Sequence, residues 1–181
     1  MMLKQNEGLP GLRGIEHIGL TVPDLNKALD FFVNVIGCEP FYELGPFVSD
    51  DDWMKTHLGV DPRAQVKRLK IMRCQMGPNL HLFEYASPDQ REVYPKNSDY
   101  GGHHLAFYVD DMDKAIAYLK SRGVKIFGEP TCREKGPSAG QTWVYFQAPW
   151  GLTLELVCYP KGKAYEKEYS NRLWHPVFPE Q

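Results

Sequence analysis

The chain has 181 residues, a hydrophobic share of 43% and a formal net charge of −2. That balance gives no electrostatic footprint for nucleic acid, and no apolar run is long enough to cross a bilayer. Four well-separated cysteines (Cys38, Cys74, Cys132, Cys158) with no CxxC pair argue against a zinc ribbon and a small disulfide scaffold. The N-terminus lacks an apolar h-region, so a reduced cytoplasmic setting is the expectation.

In chain order, residues 1–13 read as a polar lead-in. Ile15 to Val22 alternates as a half-buried strand, with Ile18 and Leu20 on one face and His17, Gly19 and Thr21 on the other. Pro23 ends it, and Asp24 can cap a helix carrying Leu25, Ala28, Leu29, Phe32 and Ile36 on one stripe, closed by Gly37. A strand over 39–44 follows. Residues 45–64 read as a loop with one helical turn, and a loop of that length on a compact domain is often a functional cover. Strands over 66–75 and 80–85 flank the Gly77-Pro78-Asn79 turn.

Residues 89–100 read as a linker, after which the order recurs. A strand over 104–110 leads to a helix with Met112, Ala115, Ile116 and Leu119, closed by Gly123. Strands over 124–127, 141–147 and 152–159 follow, with a loop over 130–140 and a Pro149-Trp150-Gly151 turn. Residues 161–181 form a polar and aromatic tail. Laid on each other from His17 and His104, the halves also match Val22 with Val109, Asp24 with Asp111 and Lys27 with Lys114. Chance rarely copies pattern and composition together, so this is an internal repeat. The predicted fold is α+β: two βαβββ modules, over 14–88 and 101–160, paired into an open mixed β-barrel with a concave site.

The repeat also aligns Leu80-His81-Leu82 with Leu154-Glu155-Leu156. Strand parity then places His17, His81, His104 and Glu155 on faces opposite their apolar neighbours. Three imidazoles and a carboxylate are costly to bury unless something binds them, and a divalent metal is the economical answer. His103 rivals His104, and the repeat selects His104. Glu84 rivals His81 as the fourth ligand. It lies three residues on, on the other face, and its counterpart is Cys158. His57 and His175 read as solvated loop and tail residues. Phe83, Tyr85 and Tyr108 share faces with the ligands and are candidate pocket walls.

With these residues in place, the chain resembles the vicinal oxygen chelate superfamily, which includes glyoxalase I, methylmalonyl-CoA epimerase, extradiol dioxygenases and antibiotic-resistance proteins. The likeness covers about residues 14 to 160. It is nearest the epimerase branch, on the stretch Gly101 to Asp111 (GGHHLAFYVDD) and on Leu154-Glu155-Leu156 followed by Tyr159-Pro160. The resemblance implies one divalent ion per chain (Zn, Mn, Co, Ni or Fe), held by His17, His81, His104 and Glu155. It also implies a small oxygenated substrate chelated through two neighbouring oxygens, and a homodimer.

In the epimerase branch the third strand carries a glutamate base. Here that stretch is Leu69-Lys70-Ile71-Met72, and Lys70 falls at the glutamate position. Lys70 shares a face with Arg68 and Met72, and can serve as acid, base or anion holder, with Arg68 a candidate substrate-binding residue beside it. By resemblance to glyoxalase-like members, Glu155 can move the proton itself. The leading expectation is therefore metal-dependent proton transfer next to a carbonyl, as in an isomerase, epimerase or lyase. The runner-up is an Fe(II) extradiol-type dioxygenase with His17, His104 and Glu155 as its triad. The third is a metal-free drug-binding resistance protein.

Overall fold

A computed structural model describes residues 9–180 of the chain; the first eight residues of the lead-in, and Gln181, lie outside the described residues. The first module runs β1 (His17–Thr21), α1 (Leu25–Leu29), β2 (Glu39–Leu44), α2 (Trp53–Leu58), β3 (Gln65–Arg73) and β4 (Asn79–Ala86). The second runs β5 (Leu105–Tyr108), α3 (Met112–Ser121), β6 (Lys125–Cys132), β7 (Thr142–Gln147) and β8 (Thr153–Cys158). The strand orders are β1-β4-β3-β2 and β5-β8-β7-β6. Two βαβββ modules are thus as expected. They form two separate four-stranded sheets that are not hydrogen-bonded to each other, so no barrel closes.

The repeat is visible in the register. β1 pairs with β4 in parallel, Gly19 against His81, and β5 pairs with β8 in parallel, Ala106 against Glu155. In each module the candidate ligand on the last strand stands beside the residue two places past the first-strand histidine. The helices begin alike too. Asp24 accepts the backbone N–H of Lys27, and Asp111 that of Lys114, both at 3.0 Å. Each carboxylate satisfies a helix-terminal donor that has no partner within the helix. The first helix continues from α1 as a π-helical segment, Asp30–Ile36, and stops at Gly37 in the left-handed conformation (φ 88°), which glycine adopts without a Cβ penalty.

One apolar cluster joins the helix-facing sides of both modules. Leu20, Leu25, Phe32, Met72 and Leu82 from the first pack in one body with Ile116, Leu119, Phe146, Leu154 and Leu156 from the second. Across the junction, Phe31 and Phe32 meet Trp150 at ring distances of 5.6 and 6.0 Å. The Tyr118 hydroxyl donates to the Asn34 carbonyl at 3.3 Å, and the linker residue Tyr94 donates to the Thr21 carbonyl. A second, smaller cluster lies on the opposite side of the first sheet. There Met54 of α2, wholly buried, rests on Val66, Leu69 and Ile71 beside Phe83 and Tyr85. The 45–64 segment is therefore a cover with a real helix in it.

Two expectations change. Cys38 and Cys74 form a disulfide (Cα–Cα 4.2 Å), joining the chain just before β2 to the chain just after β3. This departs from the expectation of a wholly reduced set and leaves Cys132 and Cys158 as thiols. His175 is half-buried rather than solvated, its ring 4.6 Å from Tyr108 and 4.9 Å from Tyr159, so the tail packs on the second module. Among the described residues no helix is long and apolar enough to cross a membrane.

Candidate metal and catalytic site

The first-module half of the site is built on adjacent strands. His17 opens β1 and His81 lies within β4, and their rings stack 3.9 Å apart at an interplanar angle of 8°. Glu16 joins them, so that ligand atoms of Glu16, His17 and His81 lie within 4.8 Å of one another. The Nδ1 of His17 donates to Glu16 Oε2 at 2.5 Å, and Asn79 Nδ2 donates to Glu16 Oε1 at 2.8 Å. The hydrogen bond from His17, then that from Asn79, holds the Glu16 carboxyl below its ordinary range. Burial, helped by the neighbouring His17, pushes the His81 pKa down, which favours the neutral imidazole that ligates metals.

The second-module half pairs His104, just ahead of β5, with Glu155 on β8. His104 Nε2 lies 3.0 Å from Glu155 Oε2. Glu155 is the buried charged residue among the described residues, and burial raises its pKa while His104 opposes the rise. Metal–ligand bonds of about 2.0–2.2 Å place neighbouring donor atoms roughly 3 Å apart, so this pair has the spacing of one edge of a coordination shell. The donor chemistry of both halves, imidazole with carboxylate, fits a divalent ion.

The four expected ligands thus come together as two pairs, one on each sheet. His104 and Glu155 stand outside the Glu16–His17–His81 group. Glu84, the rival at the fourth position, is engaged elsewhere. Its Oε2 accepts the backbone N–H of Leu25 at 2.9 Å, and Lys67 lies 3.6 Å from its Oε1, so it serves the start of α1 on the helix-facing side.

The expectation for Lys70 and Arg68 does not hold. On β3, Ile71 lies opposite His81, whereas Lys70 lies opposite Leu82, a core residue. Paired residues share a face, so Lys70 stands on the helix-facing side, away from His81. Arg68 is on that side as well. It is bound to Glu43 at 2.6 Å and donates to Asn26 Oδ1 of α1 at 2.8 Å, and is therefore a structural cross-link rather than a substrate anchor. Phe83 and Tyr85 do share the ligand face. They stack at 5.5 Å and help form the floor under α2. Tyr108 lines the junction with the tail, 5.0 Å from Tyr159.

Two residues near the ligands carried no mark in the sequence reading. Glu16 aligns with His103 in the repeat, so comparing the halves hid it. Tyr145 stands opposite Glu155 on β7 and packs edge-on against the His104 ring at 5.1 Å. Burial, and then the Glu155 charge, raises its pKa and keeps the phenol neutral. The Pro149-Trp150-Gly151 turn fixes this pairing, and counting outward from it would have found the tyrosine.

Comparison with known proteins identifies the family of the fold. A family model described as the Glyoxalase/Bleomycin resistance protein/Dioxygenase superfamily matches residues 16–146. A 2-epi-5-epi-valiolone epimerase from Actinomyces sp is 46% identical over 172 residues, covering 93% of this chain and 92% of the relative. A mitochondrial methylmalonyl-CoA epimerase from Dictyostelium discoideum is 24% identical over 149 residues, covering 82% of this chain and 80% of the relative. Among solved structures, a glyoxalase family protein from Bacillus cereus superposes with a TM-score of 0.61 at 18% identity, over 86% of this chain and 97% of that one.

Proposed function

The chain belongs to the glyoxalase/bleomycin resistance protein/dioxygenase superfamily, and from that premise we propose that it is a divalent-metal-dependent epimerase acting next to a ketone, with 2-epi-5-epi-valiolone as the first substrate to test. The observation that carries the reading is the pairing of His104 with buried Glu155, in a chain 46% identical to an epimerase over nearly its whole length.

His17, His81, His104 and Glu155 would hold the ion. When bound, a divalent ion supplies Lewis-acid polarisation of the substrate oxygens. Epimerisation then needs a positioned group to remove the proton on the neighbouring carbon, and a return of a proton to the opposite face. Glu155 is suited to take that proton, because burial raises its pKa toward the range where a carboxylate both accepts and releases one. Tyr145, facing Glu155 with its phenol neutral, is placed to donate a hydrogen bond to the oxygen on which negative charge develops. Lys70 has no part, since it lies on the far side of β3.

The two ligand pairs stand on separate sheets, and this supports a homodimer in which a second copy supplies the complementary pair. The dioxygenase triad His17, His104 and Glu155 is divided between the sheets in the same way, so geometry gives it no advantage, and the epimerase relative favours proton transfer. The test is incubation with 2-epi-5-epi-valiolone in D2O, with Zn, Mn, Co, Ni and Fe(II) supplied separately. Formation of the epimer with deuterium at the inverted carbon is expected. No conversion and no exchange with any ion would refute the assignment. Mixing inactive His17→Ala and His104→Ala proteins tests the shared site, because a dimeric site regains one intact ligand set and a single-chain site regains none.

A further inference from the structure

Both modules offer a histidine at the same place in the repeat, yet only in the first does the residue just before it set a carboxylate on the ring's Nδ1; the carboxylate of the second, Glu155, meets His104 at Nε2. In the second module His103 stands where Glu16 would, and its Nδ1 lies 3.0 Å from the carbonyl oxygen of Gly101, two residues back, instead. Thr153 stands where Asn79 would. The first-module arrangement is a chain of contacts. Asn79, the register partner of His17, donates to one oxygen of Glu16, the other oxygen takes the His17 Nδ1–H, and the Asn79 backbone N–H donates to the Glu16 carbonyl at 3.0 Å.

Neutral imidazole carries one proton, and the nitrogen without it is the one able to ligate. A carboxylate on Nδ1 therefore fixes Nε2 as the lone-pair nitrogen and sets the ring's rotation about its side-chain bonds. The His17 ring is further held flat against His81 at 3.9 Å. Glu16 is largely exposed, and an exposed pair of this kind contributes little to folding. The arrangement needs another reason, and orienting a ligand is the one its geometry serves.

We propose that Glu16, braced by Asn79, is a positioning residue that holds His17 in the Nδ1–H tautomer and presents Nε2 for metal. The inference rests on the reading of His17 as a ligand, and the experiment separates the two. In metal-free protein, 15N-resolved NMR of the imidazoles should show His17 with its proton on Nδ1. Glu16→Ala should release it to a mixture of tautomers, with the melting temperature unchanged. Glu16→Gln, which keeps an acceptor oxygen but no charge, should hold the tautomer in part.

Zn²⁺ or Co²⁺ affinity, measured by competition with a chelator, should fall about 10- to 100-fold in Glu16→Ala and less in Glu16→Gln. Wild-type affinity retained in Glu16→Ala, or a His17 tautomer indifferent to both changes, overturns the proposal. A wild-type protein that binds neither ion overturns the metal reading instead, whatever the tautomer does.

Discussion

The two modules share a scaffold and differ in what they hang on it. Each starts with a histidine, caps its helix with an aspartate three residues before a lysine N–H, and returns in parallel beside the first strand. The first then offers two stacked imidazoles on the sheet face that also carries an added helix, and the second offers one imidazole with a buried carboxylate, with a tail packed on the same module. Backbone register has been kept while donor identity has drifted. In this fold, then, the scaffold is set by capping and pairing, and the chemistry by four or five positions on one face of each sheet.

The sharpest way to break that comparison is at the two matched last-strand positions. Glu155→Gln should lower the rate of solvent deuterium exchange into substrate by about 10²–10⁴-fold, the usual range for a proton-moving group. His81→Gln at the matched site keeps a donor atom and should cost less. Equal losses would mean that the halves share one role. Next in size is the cover, which the second module lacks. Met54 is wholly buried against the first sheet, so Met54→Ala should cost about 2–5 kcal/mol in urea unfolding.

The disulfide is a further first-module feature. It spans a sequence separation of 36, and replacing both Cys38 and Cys74 by serine should lower stability by roughly 4 kcal/mol on a loop-entropy basis, measured by the same unfolding. The smallest effects test sameness rather than difference. Asp24→Ala and Asp111→Ala should each cost about 1 kcal/mol as lost helix caps. Clearly unequal values would show that the shared register does not carry shared energetics.

The repeat made the module order, both caps and the four candidate donor positions legible, because each is tied to a local pattern copied twice. What it could not show came from contacts without a pattern. Lys70 was misplaced because β3 is covered on both sides, by Met54's cluster on one and by the shared core on the other. Apolar residues then no longer mark a single face, and only the pairing of Lys70 with Leu82, rather than with His81, shows which side it takes. The π-helical turn moved no ligand. Cys38–Cys74 had no spacing motif to reveal it, since the bond follows from two strand ends meeting. The separation of the ligand pairs onto two sheets is a property of how the modules pack, which alternation along a strand does not encode.

Beside His81 stands Gly19, and beside Glu155 stands Ala106, the two smallest side chains the code offers, each at the corresponding rung of its ladder. A Cβ on Gly19 would come only within 3.4 Å of the Phe83 ring, so a modest side chain there meets ordinary contact rather than a clash. Duplication has thus kept headroom over the same rung twice. A bulky residue at either rung would crowd the His81 or Glu155 donor atoms while leaving the strand pairing untouched.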